Sequence, residues 1–97
     1  MSVEAQLAAG VSFVIPARNE EATIRDVVTE LRRAHPDAAE IIVVDDGSTD
    51  RTASRAREAG AAVVAHPVSR GYGAAIKSGI ISARGTLRSG DFISPMM

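Results

Sequence analysis

The hydrophobic pattern of this chain alternates between short apolar runs and longer amphipathic segments. Three runs rich in Val, Ile and Ala lie at Val11–Ile15, Glu40–Val44 and Ala61–Ala65. Runs of this length and composition are typical of strands that are buried on both faces of a parallel sheet. We expect Pro16 to end the first strand, because proline cannot donate a hydrogen bond to a ladder. The third run is the poorest in branched residues, and we expect it at an edge of the sheet.

Helical patterns occupy the segments between these strands. The first segment has one apolar stripe at helical spacing, formed by Ile24, Val27, Val28 and Leu31. Such a stripe predicts an amphipathic helix that packs on the sheet. Asn19 is a candidate N-cap for this helix, and Ser48 or Thr49 is a candidate for the second helix.

A third helix is predicted from Ala74 to about Ala83, with Ile76 and Ile80 facing inward. The complete pattern is therefore β-α-β-α-β-α. Short buried strands that alternate with helical units of about 10–15 residues predict a parallel sheet with right-handed crossovers. The pattern thus predicts an α/β fold.

Composition narrows the classes of function. The chain has 97 residues, which is enough for one domain. A net charge of −1, with two Phe, one Tyr and no Trp, argues against nucleic acid as a partner. The absence of cysteine excludes disulfides and thiolate chemistry. No apolar run approaches the about 18 residues of a membrane span, and residues 1–10 do not resemble a signal peptide, so we expect a cytoplasmic protein.

The most informative stretch is the end of the second predicted strand, where the apolar run meets Asp45 and Asp46. In an open α/β sheet the carboxyl ends of the strands face the ligand crevice. Gly47 allows a sharp turn there, and a carboxylate there can accept hydrogen bonds from ligand hydroxyl or ring N–H groups. The alternative is that Asp46 and Asp50 only cap the turn and the next helix.

Three motifs together resemble the opening of a family-2 glycosyltransferase, with the dolichyl- and polyprenyl-phosphate sugar transferases as the most similar group. They are VSFVIPARNEE at 11–21, IIVVDDGSTDRT at 41–52 and RGYGAAIKSG at 70–79. The resemblance implies the Rossmann-like, N-terminal nucleotide-binding half of a GT-A fold. It also implies a UDP- or GDP-sugar donor, a polyprenyl phosphate or other acceptor, and Mg²⁺ or Mn²⁺ on the diphosphate of the complete enzyme. For a full-length relative, association with a membrane is also open.

The resemblance further implies which residues bind the nucleotide sugar. These positions are Pro16, Arg18, Glu20, Val44, Asp45, Asp46 and Lys77. The first three match a loop along the nucleoside, the next three match the strand end that holds the base and ribose, and the last belongs to a glycine-containing segment beside the nucleotide. A carboxylate suits the ribose hydroxyls as an acceptor, and the planar guanidinium of Arg18 suits stacking on a base. A solvated surface lysine is the alternative for Lys77.

The resemblance ends after Gly85. The family continues with a strand that ends in an Asp-x-Asp motif for the metal and the diphosphate, whereas residues 86–97 of this chain contain one carboxylate, Asp91. We therefore expect a flexible arm at 1–9, an incomplete nucleotide-sugar-binding domain at 10–85 and a divergent, disordered tail at 86–97. Such a chain would be a truncated fragment that binds no metal alone and transfers no sugar. No catalytic residue is assigned.

The first strand is expected to be an exposed edge. The family's strand order is 3-2-1-4, so Val11–Ile15 would lack one of its two neighbours. An apolar edge with unpaired N–H and C=O groups is a template for association. We expect the chain to self-associate through this strand, which light scattering at several concentrations would test.

Two other functions stay open from the sequence alone. A receiver-like regulatory domain also has carboxylates at strand ends, and Asp45 or Asp46 would then be its phosphoacceptor. Such a domain needs a further acidic pair at the first strand, where this chain has Ile15, Pro16 and Ala17. The other alternative is a remnant that binds nothing. Treatment with a small phosphodonor tests the former, and titration with UDP and GDP tests the latter.

Overall fold

A parallel sheet of three strands forms the centre of the protein in the computed structural model, which describes residues 10–83. In chain order the elements are β1 (Ser12–Ala17), α1 (Ile24–Ala34), β2 (Glu40–Asp46), α2 (Thr52–Glu58), β3 (Ala62–His66) and α3 (Tyr72–Ser82). The strands lie in the order β1-β2-β3, so β2 is central. The predicted α/β fold with a parallel sheet is confirmed, whereas the predicted arm at 1–9 and tail at 86–97 lie outside the described residues.

Helices cover both faces of the sheet. One face packs against α1 and α2 through an apolar cluster that includes Phe13, Ile24, Val28, Ile41, Val43 and Ala56. The other face packs against α3 through Val14, Ile42, Val44, Ala75 and Ala83. The apolar run of β2 contributes alternate residues to both clusters, because successive side chains of a strand point to opposite faces. This double burial explains why the run is continuous rather than alternating.

After β3 the chain passes to the other face of the sheet and turns back across the strands as α3. The chain steps from β1 through β2 to β3 with α1 and α2 on one face. It then places α3 on the opposite face, where α3 packs mainly against β2 and β1. In open α/β sheets a reversal of this kind leaves a crevice at the carboxyl ends of the strands. The topology therefore directs attention to the carboxyl ends of β1 and β2.

A glycine lets α3 approach the sheet closely. A Cβ atom on Gly79 would lie 2.1 Å from Cγ1 of Val14, which is closer than any real contact. One turn earlier, Ala75 is also buried against the sheet. Small residues therefore form the inward face of α3, and Ile76 and Ile80, which we expected there, are only half-buried.

The strands β1 and β2 both extend further than the sequence suggests. Pro16 lies inside β1, opposite Val44, so the expectation that it ends the strand is wrong. Among the described strands β1 has one neighbour, and an edge strand tolerates proline where the position of its missing N–H faces away from that neighbour. Likewise Asp45 and Asp46 are the last two residues of β2 rather than part of the following loop. Self-association through β1 stays a prediction.

We predict that Gly79→Ala destabilises the chain by about 1–3 kcal/mol, because the added methyl group would overpack the contact with Val14. The matched control is Gly73→Ala in the first turn of the same helix, where an added Cβ would have no atom within 4 Å. The control should be neutral or stabilising by up to about 1 kcal/mol, since alanine restricts the unfolded chain. Urea unfolding measures both, and equal stabilities would contradict this packing.

Candidate functional site

Three loops meet at the carboxyl edge of the sheet. They are the first loop (residues 18–23, after β1), the second loop (47–51, after β2) and the third loop (67–71, after β3). The parallel register places the strand ends side by side, with Ala17 opposite Asp45 and Asp46 opposite His66. Hydrogen bonds and one close backbone contact then link each loop to the next.

Asn19 joins the first loop to the second. Its backbone has a φ of 54°, a left-handed conformation that asparagine tolerates better than most residues. The Asn19 N–H donates to Ser48 Oγ at 2.8 Å, and Asn19 Oδ1 accepts from the Thr49 N–H at 2.9 Å. The expectation that Asn19 caps α1 is wrong, because α1 begins at Ile24 and Thr23 is its N-cap residue. Contacts with a distant loop, rather than a local helix start, fix this residue.

A second set of bonds joins the same two loops near the start of α2. The Glu20 N–H donates to Thr52 Oγ1 at 2.9 Å, and the Glu21 N–H donates to Asp50 Oδ2 at 3.2 Å. In return, the Arg51 N–H donates to Glu21 Oε1 at 3.1 Å. Asp50 Oδ1 also accepts from the N–H of Thr52, the first residue of α2, at 2.9 Å. Arg51 is the N-cap residue of α2, so the helix begins later than a cap at Ser48 or Thr49 would give, and Asp50 supports the turn before it.

The carboxylate of Asp46 is fully used within the chain. Its Oδ1 lies 2.8 Å from His66 Nδ1 and accepts from the Arg70 N–H at 2.8 Å. Its Oδ2 accepts from Ser69 Oγ at 2.8 Å and from the Gly71 N–H at 3.0 Å. These four bonds match the about four lone-pair sites of a carboxylate. The Arg70 N–H first of all, and then His66, hold the pKa of Asp46 well below its usual range.

The second and third loops touch through their backbones. Gly47 has a φ of +74°, and a Cβ atom on it would lie 2.4 Å from the backbone N of Ser69. Any larger residue would therefore be strained and would push the third loop away. Because Asp46 holds the third loop from the other side, the two contacts together fix its position relative to the end of β2.

Asp45 differs from its neighbour because one of its oxygens is available. Oδ1 accepts from the Ser48 N–H at 3.1 Å, and Oδ2 accepts no hydrogen bond from residues 10–83. In that part of the chain no side-chain N or O atom is both fully buried and without a hydrogen bond. Although Asp45 is only 8 % exposed, its Oδ2 must therefore reach solvent. Asp45 presents one acceptor oxygen at the carboxyl edge of the sheet.

The other predicted residues of the first two strands lie near this oxygen or beneath it. Pro16 is half-buried in β1, and the side chain of Val44 opposite it is completely buried. Arg18 is exposed, lies one residue beyond the partner of Asp45, and its side chain forms no ion pair or hydrogen bond with the described residues. Glu20 is exposed in the first loop and accepts from Thr23 Oγ1 at 2.9 Å.

Lys77 is separated from this group. It is exposed and lies two residues from both Ala75 and Gly79, the residues of α3 that face the sheet. A helix turns about 100° per residue, so Lys77 is on the outer side of α3. The structure therefore does not bring it beside Asp45.

Sequence reasoning did not identify two residues that help to build the site. His66 and Ser69 bind Asp46 across 20 and 23 positions of the chain, and neither belongs to a recognisable local motif. One feature of the sequence could have identified His66: it directly follows an apolar run that predicts a strand. A polar residue at the end of a strand in a parallel sheet lies beside the end of the neighbouring strand, where Asp46 stands.

Fold and site together define a Rossmann-like α/β protein, with polar loops and an available carboxylate oxygen at the carboxyl edge of a parallel sheet. Residues 12–89 match the family described as glycosyl transferase family 2, and the chain belongs to that family. The resemblance found in the sequence, including the N-terminal half of a GT-A fold, is confirmed. No helix among residues 10–83 has the length and apolar character needed to cross a bilayer.

Relatives with known names or structures are considerably longer. The undecaprenyl-phosphate 4-deoxy-4-formamido-L-arabinose transferase of Pseudomonas aeruginosa is 43% identical over 86 residues, which cover 79% of this chain and 25% of the relative. Glucosyl-3-phosphoglycerate synthase from Mycobacterium tuberculosis, solved with UDP, superposes with a TM-score of 0.62 at 40% identity, over 75% of this chain and 29% of that one. With Mn²⁺, UDP-glucose and phosphoglyceric acid, the same enzyme gives a TM-score of 0.69 at 36% identity, over 94% and 34%. The chain thus spans about a quarter to a third of these relatives.

A divalent metal does not fit the residues that the structure describes. Mn²⁺ accompanies UDP-glucose in the mycobacterial relative. Within residues 10–83, however, no group of three or more His, Cys, Asp or Glu side chains is placed to hold a metal. Each oxygen of Asp46 already accepts two hydrogen bonds within the chain, and Asp45 has one oxygen available as a ligand.

We predict that acid weakens the fold through Asp46. Its pKa is lower in the folded chain than the ordinary 3.8, so it contributes stability above pH 3.8 that is lost as the pH falls toward the folded-state pKa. The thermal midpoint of the wild type should therefore fall more steeply between about pH 5 and pH 2 than that of Asp46→Asn. Asp37→Asn, an exposed residue before β2, is the control and should keep the wild-type slope. Parallel slopes for wild type and Asp46→Asn would contradict the assignment.

Proposed function

We propose that this chain binds the nucleotide of a UDP- or GDP-sugar at the carboxyl edge of its sheet, as the donor-binding segment of a glycosyltransferase. The observation that carries the proposal is the Oδ2 atom of Asp45, an available acceptor held in a linked set of three loops. Family membership and the UDP bound by the mycobacterial relative support it.

In this proposal the two aspartates have different roles. Asp45 Oδ2 accepts a hydrogen bond from a ribose hydroxyl or from a ring N–H of the base. Asp46 binds no ligand directly, because its four hydrogen bonds come from the chain itself. It acts by holding the third loop against the end of β2. Nucleotide binding therefore depends on both residues. Asp45 contacts the nucleotide directly, and Asp46 fixes the position of the third loop.

The remaining predicted residues surround the base and ribose to different degrees. Pro16 and the backbone of Val44 form the floor between β1 and β2. The exposed guanidinium of Arg18 is available to stack on the base. We place Glu20 at the rim of the site, because its backbone binds Thr52, and we propose no direct contact for Lys77.

We propose a lipid phosphate such as polyprenyl phosphate as the sugar acceptor. This follows the name of the Pseudomonas relative, which transfers a modified arabinose to undecaprenyl phosphate. The alternative of a receiver-like domain is not favoured, because Ala17 stands opposite Asp45 at the end of β1, where a receiver would need acidic residues.

We predict that Asp45→Asn weakens UDP and GDP binding by about 10- to 150-fold, the equivalent of one lost charged hydrogen bond. The amide oxygen can keep the bond from Ser48, while its NH₂ group would face donors of the ligand. Asp37→Asn, at the opposite edge of the sheet, should bind like the wild type. Isothermal titration calorimetry measures all three proteins. Unchanged affinity in Asp45→Asn would show that Asp45 does not contact the nucleotide.

We also predict that the 97-residue chain alone transfers no sugar, because its sequence contains no Asp-x-Asp motif. The assay supplies a radiolabelled UDP- or GDP-sugar, Mg²⁺ or Mn²⁺, and polyprenyl phosphate. A complete family-2 glycosyltransferase with the same donor is the positive control. Lipid-linked label should stay at the level of the protein-free blank, and turnover above that level would refute the prediction.

A further inference from the structure

A buried histidine stands behind the proposed site. His66, the last residue of β3, is 8 % exposed. Its Nδ1 lies 2.8 Å from Asp46 Oδ1, and its Nε2 lies 2.8 Å from Ser78 Oγ on α3. It thus connects the central strand, an outer strand and the helix on one face of the sheet. The proposed nucleotide contacts do not use it.

The hydrogen bonds determine where the ring of His66 carries its proton. Asp46 is ionised at neutral pH because its pKa is low, so its oxygens can only accept. The Nδ1 atom of His66 must therefore donate. In the neutral ring Nε2 then accepts, and the hydroxyl of Ser78 donates to it. A histidine without these two partners would not be held in this tautomer.

The bond from His66 fixes the carboxylate on which the third loop depends. Asp46 receives one donor from the β3 side and three from the third loop. With its β3 donor removed, the carboxylate could rotate and release the Arg70 or Gly71 N–H. The third loop touches Gly47, two residues beyond Asp45, through its backbone. A displaced third loop therefore reaches the end of β2 directly.

We propose that His66 is a positioning residue of this site: its Nδ1–H orients Asp46, and Asp46 in turn holds the third loop where a nucleotide can bind beside Asp45. The part of this inference that concerns the nucleotide rests on the proposed function. The part that concerns the loop stands on the contacts of His66, Asp46 and the third loop alone.

The same three side chains do not form a hydrolytic triad. Ser78, His66 and Asp46 have the order of a nucleophile, a base and an acid. However, a hydrolytic site combines such a triad with an oxyanion hole, a pair of N–H donors aimed at a substrate oxygen. Here the nearby N–H groups of Arg70 and Gly71 donate to Asp46 instead. The cluster therefore orders the loop rather than attacking a substrate.

The test compares the wild-type chain with His66→Asn, His66→Ala and His35→Asn. The side-chain NH₂ group of asparagine occupies the position of Nδ1 in histidine. His66→Asn therefore keeps the hydrogen bond to Asp46 and loses only the hydrogen bond with Ser78. His66→Ala loses both bonds. His35, the other histidine of the chain, packs against Phe13 with the ring planes tilted by 37° and the ring centroids 4.8 Å apart, and it provides the matched control. The measurements are imidazole ¹⁵N shifts, amide hydrogen exchange of residues 69–71, and calorimetric titration with UDP and GDP.

We expect the Nδ1–H tautomer for neutral His66 in the wild type. In His66→Ala the amides of Arg70 and Gly71 should lose protection, and nucleotide affinity should fall about 3- to 10-fold, less than for a lost direct contact because His66 acts only through the position of the loop. His66→Asn should restore both to near wild-type values, and His35→Asn should change neither. Restoration by asparagine is the result that a general packing role for His66 would not produce.

Other results would overturn the inference. A neutral Nε2–H tautomer in the wild type would do so even if His66→Ala failed to fold. So would unchanged exchange at Arg70 and Gly71 in His66→Ala, or a His66→Asn variant no better than His66→Ala. If the wild type binds neither nucleotide, the proposed function fails. The exchange data then still decide the loop: protection lost in His66→Ala and restored in His66→Asn supports its positioning by His66, and unchanged protection refutes it.

Discussion

The site depends on the burial of one carboxylate. Asp46 is 6 % exposed, and a buried charge is costly unless hydrogen bonds replace its water. Four donors do so, one from the end of β3 and three from the third loop. Because β2 is the central strand, its last residue lies within reach of both. The third loop then packs on Gly47, and Asn19 ties the second loop to the first. Three separate loops thereby become one connected surface.

Adjacent aspartates can have such different roles because a strand points successive side chains to opposite faces. Asp46 follows Val44 and Ile42 in facing α3, where Ser78 and the third loop supply its surroundings. Asp45 shares the other face with Val43, and within residues 10–83 its side chain accepts one hydrogen bond, from Ser48 in the second loop. The pair thus combines a residue that is fully satisfied within the chain with one that has an oxygen to offer. This division gives the edge both rigidity and a ligand-binding group.

The sequence is a good guide to the fold and an incomplete guide to the site. The run Ile41–Val44 predicts a doubly buried strand because it is short and β-branched, and a sheet covered on both faces buries successive apolar residues. Local sequence rules fail where a distant contact determines the structure. Asn19 bonds to residues 29 and 30 positions away instead of capping a helix, and Pro16 lies within β1 because an edge strand tolerates proline. The location of the two aspartates at the carboxyl edge was predictable. Their division of roles was not, because it depends on His66 and the third loop.

The central claim is that a nucleotide binds where the three loops meet. Its most direct test is ¹⁵N-edited NMR of the 97-residue chain during titration with UDP and with GDP. We expect saturable shift changes for amides of the first, second and third loops, with none at the opposite edge, around Asp37 and Ala61. Shifts confined to that opposite edge, or the absence of any saturable shift with either nucleotide, would contradict the account.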